Sequence, residues 1–337
     1  MEVRAPGVIK LFGEHAVVYG RNSMALAVSK YARCSFEETS GGLGIALPDL
    51  GGKTIGLRAD DLRDVSAVYG AKKSIAEYVA GSCVNLDFLP FATIAARLFT
   101  ECGVDVLHKD VRVSSDIPVR SGMSSSASCF TAFTCLLSKG SGLPAAKVID
   151  IARDGERVAH VNEGAGSIDV STAFYGGYVT YNSALGARKE KIGTPLNLII
   201  VNTGPKLSTS VTVGRVASLY GSDREGTERM LDEIDGCTLA GHAALEKGDL
   251  GEAGRHMFRN HELLRRLGVS NGNLDRVVEL SRANGAFGAK LSGGGGGGMA
   301  VVLGKAENKE ALMSAFKAEG FDAFEASPCM AGAAEGL

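Results

Sequence analysis

The residues that most clearly point to chemistry form a serine- and glycine-rich loop near the middle of the chain. Its members are Pro118, Val119, Arg120, Ser121, Gly122, Met123, Ser124, Ser125, Ser126, Ala127 and Ser128. A strand-like alternating stretch (110–119) precedes the loop, and small and apolar residues follow it over 127–139, as in a buried helix. Small residues at a helix N-terminus offer backbone N–H groups and a partial positive charge, which together favour phosphate. The same serines could instead cap an ordinary core helix.

Two further stretches, one near each end of the chain, also combine glycine with polar residues. The first reads Ala-Pro-Gly-Val-Ile-Lys-Leu-Phe-Gly-Glu-His-Ala-Val-Val-Tyr-Gly (5–20), and the second reads Gly-Ala-Lys-Leu-Ser (288–292) followed by six glycines (293–298). In order and spacing, the three segments resemble the three motifs of the GHMP kinases, a family named for galactokinase, homoserine kinase, mevalonate kinase and phosphomevalonate kinase. The wording of the first segment is close to that of the mevalonate kinase branch, whereas galactokinases typically continue Glu-His with Thr-Asp-Tyr.

This resemblance implies a fold and an activity. The mixed order of strands and helices itself favours an α+β protein. The resemblance sharpens this to a ribosomal-S5-like N-terminal domain (1–187) and a ferredoxin-like C-terminal domain (188–337), with the active site between them. It also implies transfer of the γ-phosphoryl group of ATP to mevalonate, with Mg²⁺ as cofactor. A kinase for phosphomevalonate, homoserine or a sugar, and a non-catalytic nucleotide or ligand sensor, are the alternatives.

The resemblance implies that Asp169 is the catalytic base, because the base of the family is followed seven residues later by a Gly-Gly pair, as here. Asp169 could otherwise cap a helical turn. The lysine that pairs with this base usually follows Ala-Pro-Gly directly, but Val8 occupies that position. Because side chains two residues apart on a strand share a face, we expect Lys10 to bring its ammonium group to the same side. The alternative is a lysine at the end of a strand.

The resemblance assigns the metal to Ser126 and Glu156. A hydroxyl and one carboxylate suit Mg²⁺, which keeps several waters and substrate phosphates in its octahedral shell. Glu156 could instead face solvent and pair with Arg153 or His160 at helical spacing, and Glu163 is then the alternative ligand.

The substrate residues implied by the resemblance are Glu14, His15 and Thr209. His15 is expected to donate a hydrogen bond to a carboxylate or hydroxyl of the substrate, unless it is a structural histidine. Thr209 could also cap the helix that follows it. The glycine run 293–298 would let its backbone pack against the phosphate loop without Cβ clashes. Ser124 departs from the central motif, which usually has glycine there.

Composition excludes several classes of protein. The formal net charge is −2 with interspersed signs, so neither nucleic acid nor an anionic membrane is an expected partner. No apolar run approaches the ~18–20 residues of a membrane span and no signal peptide is recognisable, which predicts a cytoplasmic protein. The seven cysteines never form Cys-x-x-Cys, so neither a disulfide framework nor a structural zinc site is expected. A homodimer is left open.

Hydrophobic periodicity and turn signals predict the elements that must position these residues. The expected strands are 3–12, 24–36, 104–114, 177–181, 196–202, 288–291 and 299–303, with a hairpin over 43–57. The expected helices are 60–78, 91–99, 127–139, 145–161, 227–247, 250–267 and 307–319.

Overall fold

Two β-sheets organise the protein, whose computed structural model describes residues 1–118, 122–162 and 164–336. The first sheet consists of β1 (Glu2–Phe12), β2 (Ser23–Glu38), β3 (Leu43–Leu47), β4 (Lys53–Leu57), β5 (Lys109–Ser115), β6 (Tyr178–Asn182) and β7 (Gly186–Glu190). The second sheet consists of β8 (Asn197–Asn202), β9 (Gly288–Leu291), β10 (Met299–Gly304) and β11 (Asp322–Ala326). The strand order is β4-β3-β5-β2-β6-β7 in the first sheet, with β1 paired to β2, and β11-β8-β10-β9 in the second. The pairs are antiparallel except that of β3 with β5.

Helices follow the same division along the chain. The helices before β6 are α1 (Ala59–Ala71), α2 (Ile75–Gly81), α3 (Leu89–Cys102), α4 (Ser125–Ser138), α5 (Ala145–His160) and α6 (Ser167–Tyr175). The helices after β8 are α7 (Thr209–Ser222), α8 (Arg224–Lys247), α9 (Leu250–Arg266), α10 (Gly272–Ala283) and α11 (Lys309–Ala318). Among the helices formed by the described residues, none combines the length and the apolar character that crossing a bilayer requires.

Strand β1 lies between two hydrophobic cores, which is why its side chains alternate between them. Val8 packs into the core that the first sheet shares with α3, α4 and α6. Ile9 and Leu11 pack into a separate core that also contains residues of β8 and β10. Lys10 therefore lies on the same face as Val8, toward α4 and α6.

The mixed α+β architecture predicted from the sequence is confirmed. The bounds of one predicted helix and one predicted strand differ from those in the structure. The single helix expected over 60–78 is wrong: α1 ends at Ala71 and α2 begins at Ile75, because the Ser74 hydroxyl accepts a hydrogen bond from the Glu77 N–H and starts a new helix. The strand expected from residue 104 begins only at Lys109, since His108 adopts a positive φ of 58° just before it.

Three elements were not predicted, namely β7, α10 and β11, and the helix expected after Thr209, which is α7, was predicted without bounds. Strand β7 is an edge strand that exposes charged side chains and buries Glu190, so its sequence resembles a loop. The predicted division at residues 187 and 188 falls within β7, and the two-domain division stays a prediction. After β11 the chain returns to the first sheet, where the Gly177 N–H donates to the Cys329 carbonyl at 2.7 Å.

Candidate active site

The centre of the candidate site is an ion pair between β1 and α6. Lys10 Nζ lies 3.0 Å from Asp169 Oδ2, and the two side chains are 20% and 12% exposed. Asp169 is the third residue of α6, and its helix follows Gly166, which has a positive φ of 80°. Because Lys10 lies on the Val8 face of β1, its ammonium reaches the carboxylate from the direction that strand alternation predicts.

Burial and pairing act against each other in this ion pair. Burial alone would lower the pKa of Lys10, but the Asp169 carboxylate outweighs it and the pKa lies above its ordinary value. Burial alone would raise the pKa of Asp169, but the Lys10 charge and a hydrogen bond from Ser124 outweigh it, and the pKa is lowered. Both groups are therefore charged at neutral pH, and Asp169 is an ionised carboxylate able to accept a proton.

The other oxygen of Asp169 is also bound. Ser124 Oγ donates a hydrogen bond of 2.6 Å to Asp169 Oδ1. Ser124 immediately precedes α4, whose first residue is Ser125. The loop and the candidate base are thus directly connected.

The predicted phosphate loop does begin a helix, and its residues divide by burial. Val119, Arg120 and Ser121 lie outside the described residues. Pro118 is exposed, and Gly122, Ser124, Ser125 and Ser126 are partly exposed at the start of α4. These four positions can present backbone N–H groups and hydroxyls to an anion.

Met123, Ala127 and Ser128 are buried, so they hold the loop in place. The Met123 carbonyl accepts from the Val8 N–H at 3.0 Å, and Ser128 Oγ donates to the Pro6 carbonyl at 2.7 Å. These bonds fix the loop to β1, the strand that carries Lys10.

The predicted metal ligands lie on either side of one histidine. Glu156 is only 5% exposed, so it does not face solvent, and its Oε2 lies 3.4 Å from His160 Nε2. Ser126 Oγ is 3.4 Å from the same nitrogen. The hydrogen bond to Glu156 raises the pKa of His160. Glu163, the alternative ligand, lies outside the described residues.

A carboxylate oxygen without a partner marks this place as suitable for a cation. Glu156 Oε1 is buried and has no hydrogen-bond partner among the described residues. A buried, unpaired carboxylate oxygen is costly unless a proton or a cation compensates it. The donor set of one hydroxyl and one carboxylate fits Mg²⁺ completed by water and phosphate oxygens.

The glycine run packs against the phosphate loop, as its composition predicts. A Cβ at Gly293 would lie 3.5 Å from the Gly122 carbonyl oxygen, and a Cβ at Gly297 would collide with the Pro205 carbonyl at 2.2 Å. Gly297 also has a φ of 117°, which side-chain-bearing residues rarely adopt. The Pro205 carbonyl therefore requires glycine at residue 297, whereas the distance from residue 293 to Gly122 is an ordinary van der Waals contact and glycine is favoured there by its φ of 86°.

The three predicted substrate residues lie in different environments. His15 has a positive φ of 62° and its Nε2 donates to the Gly294 carbonyl at 2.9 Å. Burial lowers the pKa of His15 to about 4, so the ring is neutral, with its proton on Nε2 and an acceptor at Nδ1. Thr209 is exposed at the start of α7, and its Oγ1 lies 3.1 Å from the Cβ position of Gly294. His15 and Thr209 therefore approach the same glycine.

Glu14 is the most deeply buried of the three predicted substrate residues. It is 2% exposed and its Oε1 pairs with Lys290 Nζ, whose side chain is 0% exposed. Burial lowers the pKa of Lys290 although Glu14 opposes this effect. The pair joins the segment after β1 to β9 of the second sheet.

Sequence reasoning missed three polar residues near this site. Lys290 pairs with Glu14, and Ser292 Oγ accepts from the Lys10 N–H at 2.9 Å. Lys206 faces Lys10, Asp169 and Glu156, and burial together with Lys10 lowers the pKa of Lys206. Lys290 and Ser292 flank Leu291 directly before the glycine run, so their place within the third motif was the available signal. Lys206 carries no comparable signal.

Comparison with known proteins shows which family the chain resembles over most of its length. The family model described as GHMP kinases N terminal domain matches residues 90–177, and the model described as GHMP kinases C terminal matches residues 242–322. A mevalonate kinase of Pyrococcus horikoshii is 32% identical over 91% of this chain and 89% of its own length. The crystal structure of the Methanococcus jannaschii mevalonate kinase has a TM-score of 0.79 at 25% identity, covering 97% of this chain and 98% of that one. The structure of L. major mevalonate kinase in complex with R-mevalonate has a TM-score of 0.73 at 26% identity, with 97% and 95% covered.

Proposed function

Because the chain belongs to the GHMP kinase family, we propose that it is an ATP-dependent kinase that transfers the γ-phosphoryl group to the 5-hydroxyl of mevalonate. The observation that carries this proposal is the Lys10–Asp169 pair beside the N-terminus of α4. The similarity to mevalonate kinases over nearly the whole chain supports mevalonate as the acceptor.

Phosphoryl transfer depends mainly on positioning and on charge stabilisation, and the site offers a group for each task. The N–H groups of the first turn of α4 would hold the phosphates. Asp169 would take the proton of the attacking hydroxyl as the oxygen–phosphorus bond forms and ADP leaves. Lys10 would keep Asp169 ionised and offset negative charge on the transferred group.

We further propose that Ser126 and Glu156 hold Mg²⁺. Held by these two residues, the ion would supply positive charge that offsets the negative charge of the phosphates. Ser126→Ala should raise the Mg²⁺ concentration needed for half-maximal turnover about tenfold, with little change in the melting temperature. Ser141→Ala, which removes a hydroxyl just after α4 that donates to the Ser138 carbonyl, is the control. An unchanged Mg²⁺ dependence in the Ser126 variant would contradict the metal assignment.

The experiment that tests the proposed function is an assay of ADP release with four acceptors: mevalonate, phosphomevalonate, homoserine and galactose. We expect turnover with mevalonate, and ³¹P NMR should place the new phosphate on the 5-oxygen. The Asp169→Asn variant serves as the blank, because it keeps the shape of the site without the base. Preferred turnover of another alcohol would overturn the acceptor assignment. The cytoplasmic location and the homodimer stay predictions from the sequence.

A further inference from the structure

Ser124 has an unusual conformation for the residue that begins a helix. Its φ of 54° and ψ of 41° lie in the left-handed region, which favours glycine because a Cβ is crowded there. The Ser124 carbonyl accepts from the Ser128 N–H at 3.1 Å and thereby starts α4. The central motif that this segment resembles usually has glycine at this position.

The Ser124 hydroxyl does not cap the N-terminus of α4. A serine before a helix normally accepts a hydrogen bond from an N–H of the first turn. Within the described residues, Ser124 makes no such cap; its hydroxyl donates instead to Asp169 Oδ1 at 2.6 Å, across 45 residues of sequence. Two consequences follow: the first-turn N–H groups of α4 stay available to an anion, and the carboxylate is held at a second point.

We infer that Ser124 is a positioning residue that fixes the Asp169 carboxylate through Oδ1 while Lys10 holds Oδ2. With one partner on each oxygen, the carboxylate cannot rotate about its χ2 bond without losing a hydrogen bond. The lone pairs that remain on each oxygen are then directed to one place for the acceptor hydroxyl. This inference rests on the proposed function only for its kinetic consequences; the contact itself does not.

The charged groups around Asp169 come from three elements. Lys10 faces it from β1, His160 and Glu156 face the cluster from α5, and Lys206 faces it from the segment before α7. Substitution of Ser124 leaves all four in place. A change in the titration of Asp169 would therefore report the lost hydroxyl, since a hydrogen bond to the charged form of a carboxylate favours that form.

Two substitutions distinguish the effect of the Ser124 hydroxyl from the effect of the left-handed backbone conformation. Ser124→Gly removes the hydroxyl and relieves the left-handed conformation, whereas Ser124→Ala removes the hydroxyl and keeps the crowded Cβ. Ser171→Ala is the matched control, because Ser171 lies on α6 two residues after Asp169 and its hydroxyl donates to the Ser167 carbonyl.

In both Ser124 variants we expect kcat to fall about three- to tenfold with the KM for mevalonate within about twofold, since the hydroxyl acts on the base and not on substrate binding. The acid limb of the pH–rate profile should move up by about half a unit to one unit in both. The melting temperature should differ between them, with the Gly variant at or above the wild type and the Ala variant below it. The Ser171 variant should keep the acid limb of the wild type.

A second measurement does not need turnover. Titration of the Asp169 carboxyl carbon by ¹³C NMR, assigned with Asp169→Asn, should give a higher pKa in both Ser124 variants than in the wild type. If the wild type fails to phosphorylate mevalonate, the proposed function fails, and this titration still decides the role of Ser124. An unshifted titration in both variants would overturn the inference. So would a loss of kcat in the Ala variant alone, because that pattern reports backbone strain.

Discussion

Two lysine–carboxylate pairs each have one member near the end of β1, Lys10 in one pair and Glu14 in the other. The two pairs differ in how deeply they are buried. Lys10 and Asp169 remain 20% and 12% exposed and open onto the phosphate loop. The side chains of Lys290 and Glu14 are only 0% and 1% exposed, and they join the segment after β1 to the second sheet. The pKa of Lys10 is raised despite its burial, whereas burial lowers that of Lys290.

The difference shows how burial determines what an ion pair can do. A pair that keeps contact with solvent can exchange a proton with a substrate. A fully buried pair mainly fixes the segments that carry it, because separating its charges would leave one of them uncompensated. His15 and the glycine run lie beside the Lys290–Glu14 pair. That pair therefore supports the position of the glycine run, which packs against the phosphate loop next to Lys10 and Asp169.

The largest effect should come from the open pair. Asp169→Asn keeps the shape of the side chain but removes the charge, and kcat should fall by about 10²–10⁴-fold, the usual contribution of a general base. The free energy of unfolding should change by only about 1–2 kcal/mol, because the Asn side chain keeps hydrogen-bonding capacity. Single-turnover kinetics with saturating mevalonate and urea unfolding measure the two quantities. Near-normal turnover would show that Asp169 has only a structural role.

Breaking the buried Lys290–Glu14 pair should mainly reduce the stability of the protein. Lys290→Met leaves the Glu14 carboxylate buried without its cation, and the free energy of unfolding should fall by about 3–5 kcal/mol. Combining it with Glu14→Gln should recover most of this loss, and urea unfolding of the single and double variants tests this. Lys53→Met, which removes an exposed pair with Asp87, is the control and should cost less than about 1 kcal/mol. Equal costs for the two lysines would remove the distinction between the pairs.

Lys10→Met should affect turnover less than Asp169→Asn does. We expect a loss of about 10–10²-fold in kcat, since the ammonium stabilises charge that is largest in the transition state. The acid limb of the pH–rate profile should move up, because the pKa of Asp169 rises without its neighbour. Lys10→Met combined with Asp169→Asn should cost about as much as Asp169→Asn alone. Full additivity would mean that the two residues act independently.

The smallest effect concerns the free energy of unfolding in mild acid, which two buried histidines, His15 and His261, should control. Burial lowers the pKa values of His15 and His261 to about 4, below the ordinary 6.5. The unfolded chain therefore binds protons first, so stability is complete above pH 6.5 and falls as the pH drops toward 4, by about 1–3 kcal/mol per histidine. The open pair should contribute slope only below about pH 5, since the pKa of Asp169 is lowered and the unfolded carboxyl binds protons only in that range. Urea unfolding from pH 7.5 to 4.5 should show a shallower slope for His261→Gln; an unchanged slope would assign the acid sensitivity elsewhere.

Local sequence patterns determined the positions of the motifs and of most helices and strands in this protein. Glycine-containing motifs marked the phosphate loop, and alternation along β1 placed Lys10 on the face of Val8. Buried strands such as β8 and β10 and amphipathic helices such as α8 and α9 were predicted to within a few residues. These features depend on periodicity and on turn residues, which are encoded by neighbours in the chain.

Only the tertiary structure decided which distant side chains meet. Ser124 was predicted to face phosphate and donates to Asp169, and Glu14 was predicted to face substrate and pairs with Lys290, 276 residues away. Strand β7 was missed because its partner, not its own charged sequence, makes it a strand. Burial has the same origin: whether a lysine–carboxylate pair is open or enclosed depends on the elements packed around it, and that packing sets its pKa values and its cost.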